Sequence, residues 1–105
     1  MKPSVFTETD VRLAVRCALA ETGDWRYIVS RHAIERMLER DVTAVRVRRV
    51  LSQGRIAVGP YPSDSGWKAE FEGAADGAVK VVVAFDFDDA GGAVVVVTVI
   101  RMASH

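Results

Sequence analysis

The C-terminal half of the chain repeats its apolar residues with a period of two, and this pattern restricts the fold more than any other feature. In WKAEFE, residues 67–72, apolar side chains alternate with charged ones, as in a strand with one buried face. The segments AVKVVVAFDF (residues 78–87) and AVVVVTVI (residues 93–100) are almost unbroken apolar runs. We expect these two segments to be central strands that are covered on both faces.

Turn-forming residues separate these strands. RIAVG at residues 55–59 indicates a further strand, and PYPSDSG at residues 60–66 indicates the turn that follows it. AADG at residues 74–77 is typical of a hairpin turn, and DDAGG at residues 88–92 joins the last two strands. The four strands are therefore expected to form a meander.

The N-terminal half shows helical periodicity. Thr7 and Asp10 form a capping-box pattern before a helix that is predicted over residues 8–22 and ends at Gly23. RYIVS, residues 26–30, is predicted to be a short strand.

Two more helices follow that strand. Ser30 is the predicted N-cap of the second helix, which ends near Asp41, and Asp41 or Thr43 caps a third helix that ends at Gly54. The residues expected on the buried faces of these two helices are Ala33, Ile34, Met37, Leu38, Ala44, Val47, Val50 and Leu51. The element order predicts an α+β fold, namely an antiparallel, curved sheet of about four strands with two or three N-terminal helices packed on it.

The composition indicates one globular domain over residues 1–105, since 50% of the residues are apolar and 27% are charged. A single cysteine, Cys17, excludes an internal disulfide, and we expect it to be a buried small hydrophobe. The start of the chain lacks the apolar segment of a signal peptide, and its longest apolar run is too short to span a bilayer. We therefore expect a cytoplasmic protein that makes no membrane contact.

Charge is balanced overall, with 14 basic and 14 acidic residues, but it is unevenly distributed. Residues 31–55 hold seven arginines against three acidic residues, a net charge of +4, and residues 56–105 carry a net charge of −4. The second and third helices therefore form a basic module beside a mildly acidic sheet.

The segment SRHAIERMLER, residues 30–40, concentrates this charge. His32, Arg36 and Arg40 are four residues apart and line one side of the helix, beside a row of Glu35 and Glu39. From these residues alone, a solvent-exposed face with surface ion pairs is the favoured interpretation. A metal site at His32, Glu35 and Glu39 is not expected, because no second histidine completes it and the nearby arginines oppose a cation.

The same segment carries a resemblance to a known family. The pattern S-x-H-A-x-x-R-M-x-x-R at residues 30–40, followed by DVTAVRVRRVLSQG and by VVTV in the last strand, resembles a family of small bacterial and phage proteins. That family is an uncharacterised domain grouped by fold with RelE/ParE-like and BrnT-like toxins. The resemblance covers residues 28–100 and defines a toxin-like core over residues 28–102, which leaves the helix at residues 8–22 as an addition.

The chain departs from the family at the turn after the second helix. Asp41, Val42 and Thr43 stand where the family usually has Gly-Ile-Ser or a similar sequence. The departure is conservative, because Thr43 can still cap the third helix.

The resemblance implies the toxin of a bacterial toxin–antitoxin pair, acting without a cofactor as a metal-independent endoribonuclease. Its chemistry needs a base near the ribose 2′-OH, an acid near the leaving 5′-oxygen and cations around the phosphorane. The residues implied for catalysis are His32, Arg36, Arg40 and Lys68, and those for binding RNA or a partner are Arg46, Arg49, Arg55, Tyr61 and Arg101. RNA and a cognate antitoxin protein are the expected partners, and the base and the acid stay unassigned.

The alternative is a non-catalytic RelE-like interaction domain that binds a protein or RNA through its basic helix face. The low positive charge of the sheet favours it, because a nuclease that docks on RNA usually carries more positive charge. In that case His32 caps its helix or bonds a backbone carbonyl, and Arg40 complements the helix dipole. Such a domain tolerates His32→Ala but loses affinity when Arg46 or Arg49 changes sign.

Overall fold

The computed structural model describes residues 2–73, 79–89 and 91–102. The described elements are, in chain order, α1 (Glu8–Ala20), β1 (Trp25–Val29), α2 (Arg31–Arg40), α3 (Ala44–Gln53), β2 (Arg55–Ser63), β3 (Gly66–Glu72), β4 (Val79–Asp88) and β5 (Gly91–Arg101). The α+β class and the expected order of helices and strands are confirmed. The predicted AADG turn lies outside the described residues.

The five described strands form one mixed sheet in the order β1-β5-β4-β3-β2. Neighbouring strands from β2 to β5 are antiparallel, whereas β1 runs parallel to β5. The prediction of an antiparallel sheet of about four strands was therefore wrong in this respect. The reason is that β1 pairs with the last strand of the chain, a long-range pairing that the local alternation of side chains does not reveal.

One buried cluster joins all three described helices to the same face of the sheet. Its members include Val11 of α1, Ala33 of α2 and Leu51 of α3 together with Val81 and Val96 of the central strands. The expectation that the valine-rich strands are covered on both faces was therefore wrong. We call the opposite face, on which none of the described helices packs, the outer face.

Helix burial differs from the sequence prediction at several positions. Val47, Val50 and Leu51 of α3 are buried as predicted. On α2, Ile34 and Leu38 are 49% and 79% exposed, and only Ala33 of the residues predicted for its buried face is fully buried. Ala44 is exposed as well. The helical period identifies an apolar side of α2, but α2 lies along the edge of the sheet and so buries only part of that side.

Strand β2 is longer than expected, since PYPS belongs to it rather than to a turn. β2 is an edge strand, and its register against β3 shifts on both sides of Val58. An edge position tolerates Pro60 because no further strand requires its missing N–H, and the irregular register absorbs the extra residues.

The N-terminal segment and α1 cover part of the inner face of the sheet, which is the face on which the helices pack. The Thr7 hydroxyl and the Asp10 carboxylate form the predicted capping box, which starts α1. Before it, the Phe6 ring packs on Trp67, Phe85 and Phe87 with centroid distances of 6.1, 5.1 and 5.5 Å. These aromatic contacts bury one end of the sheet beneath the start of the chain.

Ser30 joins β1, α2 and β5. β1 pairs with β5 only as far as Val96, and the Ser30 N–H then donates to the Val96 carbonyl at 3.1 Å. The Ser30 hydroxyl accepts from the Ala33 N–H at 3.1 Å as the N-cap of α2 and donates to the Val97 carbonyl at 3.2 Å. The side chain thus satisfies two backbone groups that the short strand leaves without a partner.

The turn after α2 explains how this chain departs from the resembled family. Asp41 is the C-cap of α2, with a φ of 54° in the left-handed region. Glycine adopts this region most readily, and Asp is among the few other residues that tolerate it. The cap of α3 is Thr43, whose hydroxyl accepts from the Arg46 N–H at 3.1 Å.

We expect Ser30→Ala to lower the free energy of unfolding by about 1–2 kcal/mol, because it removes both the cap of α2 and the donor to Val97. Chemical denaturation followed by circular dichroism measures this change. The matched control is Ser52→Ala, since the Ser52 hydroxyl only donates to the Arg49 carbonyl on the exposed surface of α3. Equal losses in the two variants would contradict the bridging role of Ser30.

Candidate functional site

Two of the predicted site arginines brace α2 against β5. The Arg40 guanidinium donates to the Val99 carbonyl at 2.9 Å, and the Arg101 guanidinium donates to the Arg40 carbonyl at 3.0 Å. Arg40 is partly buried. Each of these two side chains therefore has a structural partner on the backbone, and their charges hold the helix on the edge of β5.

The other two residues predicted to line this side of α2 are His32 and Arg36, and within the described residues they make no hydrogen bond to β5. Arg36 forms an ion pair with Glu39 one turn away. His32 is exposed in the first turn of α2. His32 and Arg36 therefore remain candidates on a surface that the packing of α2 does not explain.

The predicted binding arginines are divided between α3 and β2. Arg46 is half-buried and Arg49 is exposed on α3, while Arg55 pairs with Glu72 across β2 and β3 at 2.6 Å. Arg48 was not among the predicted site residues, and its guanidinium lies 4.8 Å from the centroid of the Tyr27 ring. The basic module predicted for α2 and α3 is thus partly committed to internal contacts.

A connected set of polar side chains lies on the outer face, where β2, β3 and β4 are neighbours. We call Tyr61, Lys68, Glu70, Glu72 and Lys80 the outer-face cluster. The Tyr61 hydroxyl donates to Glu70 Oε2 at 3.3 Å, and Lys80 Nζ lies 3.3 Å from Glu70 Oε1 and 3.9 Å from Glu72 Oε1. The cluster therefore couples a phenol, two carboxylates and an ammonium group over three strands.

Lys68 is the member of the outer-face cluster that is available to a ligand. It pairs in register with Tyr61 on one side and with Ala84 on the other, and it is half-buried. Within the described residues its ammonium group makes no hydrogen bond or ion pair. A partly desolvated cation beside Glu70 favours an anionic ligand such as a phosphate group.

The structure pairs Lys68 with Tyr61 and places Arg55 farther along the same two strands, opposite Glu72. It separates all three from His32, Arg36 and Arg40. β4 lies between β3 and β5, so at a strand spacing of about 4.8 Å the backbone of Lys68 is about 10 Å from β5 and farther from α2. Lys68 therefore does not share one site with His32, Arg36 and Arg40, the other residues predicted for catalysis.

Sequence reasoning missed Glu70, Glu72 and Lys80 as site residues. The alternation in WKAEFE already places Lys68, Glu70 and Glu72 on one face. What it could not supply is the pairing of Glu72 with Lys80 and of Glu70 with Val82 across β3 and β4. Only that register brings the Lys80 ammonium between the two carboxylates.

Burial raises the pKa of Tyr61 above its ordinary value, and the negative charge of Glu70 and the hydrogen bond to its carboxylate raise it further. A phenol with a raised pKa is protonated near neutral pH, so it can act as a proton donor. The cluster thus combines a carboxylate that can accept a proton, a phenol that can give one and a cation for a developing negative charge.

Neither a metal centre nor a membrane span stands out in the part of the chain that the structure describes. There, no group of three or more His, Cys, Asp and Glu side chains is placed to hold a metal ion. No helix in the described ranges is both long enough and apolar enough to cross a membrane.

Fold and site together define an α+β domain with a polar cluster on the open face of a mixed sheet. A family model described as a domain of unknown function (DUF4258) matches residues 29–101, and the chain belongs to this family. α1 and nearly all of β1 lie before the matched residues. No curated protein and no solved structure matches the chain.

We expect Glu70→Gln to lower the pKa of Tyr61, because the change removes a negative charge and a carboxylate acceptor from the phenol. Spectrophotometric titration at alkaline pH in a Tyr27→Phe background isolates Tyr61, since the chain has two tyrosines. Glu39→Gln, which removes a carboxylate from α2, is the matched control and leaves the titration unchanged. An unaltered Tyr61 titration in Glu70→Gln would show that the two side chains are not coupled.

Proposed function

We propose that this chain is a metal-independent endoribonuclease of the toxin type, and that it cleaves RNA at the outer-face cluster. The observation that supports this most strongly is Lys68, a half-buried cation whose ammonium has no partner in the described residues. It is paired in register with Tyr61 and shares its face of β3 with Glu70. Helices on one face of the sheet and an open polar face opposite suit a RelE-like arrangement. The resemblance of residues 28–100 to a family grouped with RelE-like toxins implies the same class of activity.

In the proposed reaction, the ribose 2′-oxygen attacks the adjacent phosphorus atom while Glu70 takes the proton of the 2′-OH. The bond between phosphorus and the 5′-oxygen breaks, and Tyr61 gives its proton to the leaving 5′-oxygen. The products are a 2′,3′-cyclic phosphate and a free 5′-OH. The proton can then return from Glu70 to Tyr61 through their hydrogen bond, which restores both groups.

The cations of the site have separate roles in this proposal. Lys68 contacts the phosphorane, where negative charge accumulates in the transition state. Lys80 Nζ lies 3.3 Å from Glu70 Oε1 and holds in place the carboxylate that accepts the proton. Arg55, which is 72% exposed at its side chain, extends the positive charge toward neighbouring phosphates of the RNA.

The expected partners of a toxin of this kind are RNA and a cognate antitoxin protein. The alternative of a non-catalytic interaction domain is favoured by a different observation. Leu38 and Ile34 are exposed side by side on α2, and adjacent exposed apolar side chains are typical of surfaces that contact a protein. In that case the basic residues around α2 orient a partner and nothing is cleaved.

The deciding experiment is cleavage of a fluorescent single-stranded RNA by purified protein in EDTA, with the ends of the products identified. We expect cleavage by the wild type and a loss of rate of about 10²- to 10⁴-fold in Glu70→Gln, because general acid–base catalysis contributes this much. Lys68→Ala should lose a comparable factor. Circular dichroism confirms that each variant is folded.

His32→Ala and Arg36→Ala are the matched variants on α2, and we expect both to keep the wild-type rate. Loss of cleavage in His32→Ala with full activity in Glu70→Gln would move the site to α2. Absence of cleavage by the wild type at high protein concentration would overturn the nuclease proposal. RNA binding that Arg49→Glu weakens, without cleavage, would then favour the interaction domain.

A further inference from the structure

A cleft of about 510 Å³ lies between α1 and α3 on the inner side of the molecule. Its size falls within the roughly 300–1,000 Å³ of ligand-binding clefts. Val15 and Leu19 of α1 and Leu51 of α3 form an apolar floor. Leu51 is fully buried and Leu19 packs on the core, so the floor is a rigid part of the fold rather than a loose surface.

The rim of the cleft is positively charged. Arg12 and Arg16 line it from α1, and Arg48 of α3 lies beside the lining residue Leu19, whose carbonyl accepts from the Arg48 guanidinium at 3.4 Å. None of the described residues that line the cleft is acidic. An apolar floor under arginines on several sides is complementary to an occupant with apolar and acidic faces.

The three arginines are held in different ways. Arg12 donates to the Gly54 carbonyl at 2.9 Å, and its guanidinium lies 5.7 Å from the centroid of the Phe71 ring. These contacts fix its position and leave other N–H groups to donate. Arg16 is exposed and has no hydrogen bond or ion pair within the described residues, so its charge is free to meet a carboxylate.

We infer that this cleft binds an acidic, amphipathic helix of a protein partner. Such a helix lays apolar residues into a groove between two helices and directs its carboxylates to the rim. RNA fits less well, because phosphates gain nothing from the apolar floor that Val15, Leu19 and Leu51 provide. The inference does not depend on catalysis, since the cleft and the outer-face cluster lie on opposite faces of the sheet.

The two helices that line the cleft differ in whether the family model includes them. α3 lies within the residues that the family model matches, whereas α1 precedes them. Five of the seven described lining residues therefore come from an element outside the family domain. The partner that this cleft selects is accordingly set by α1, in particular by the side chains of Arg12, Arg16 and Leu19.

The test is fluorescence anisotropy with a labelled helical peptide that carries Leu at every third or fourth position and Glu between them. We expect saturable binding to the full chain, and Arg16→Glu should weaken it by about 5- to 10-fold, as expected for reversal of one exposed charge. Arg31→Glu, an exposed arginine on α2, is the matched control and leaves the affinity unchanged. The same peptide with Lys in place of Glu should not bind.

Three results would overturn the inference. The first is no binding of the acidic peptide to the wild type, and the second is equal weakening by Arg16→Glu and Arg31→Glu. The third is displacement of the peptide by a single-stranded RNA, which would assign the cleft to nucleic acid. Sedimentation of the free chain is measured in parallel, because a dimer that Arg16→Glu dissociates, with no peptide binding, would assign the cleft to a second copy.

Discussion

The structure depends on how the backbone carbonyls of β5 are hydrogen-bonded beyond the end of β1. β1 ends at Val29, opposite Val96, while β5 continues to Arg101. Backbone carbonyls beyond that point have no strand to bond, and unpaired backbone groups are costly when buried. α2 lies along this edge, and the side chains of Ser30 and Arg40 take the place of a strand by donating to β5 carbonyls.

This arrangement divides the charged residues of the SRHAIERMLER segment into two groups. Arg40 holds α2 in place, because its guanidinium donates a hydrogen bond to the Val99 carbonyl of β5. His32 is exposed and Arg36 is half-buried in an ion pair with Glu39, and within the described residues neither side chain donates to the backbone of β5. Because the described helices gather on one face of the sheet, the opposite face stays open, and the outer-face cluster around Glu70 occupies it. The proposed chemistry is therefore assigned to the strands, while Arg40 of α2 has a structural role.

The sequence predicted those features that depend on neighbouring residues. The caps at Thr7, Ser30 and Thr43 follow from one side chain and the next few N–H groups, and the structure contains all three. Pairings between distant segments were not accessible. The parallel β1, the extension of β2 through Pro60 and the approach of Lys80 to Glu70 all require the register of strands that local periodicity leaves open. The part of the candidate site on β3 was therefore visible in the sequence as an alternating strand. The approach of Tyr61 and Lys80 to that strand required the folded sheet.

The central claim is that RNA meets the outer face of the sheet. The most direct test is to map the amide chemical shifts of the isotope-labelled chain on titration with a short oligonucleotide that lacks the 2′-OH and cannot be cleaved. The expected result is a set of saturable shifts around Tyr61, Lys68 and Lys80, with α2 unaffected. Shifts confined to the surface of His32 and Arg36 would contradict the claim and return the site to the helix.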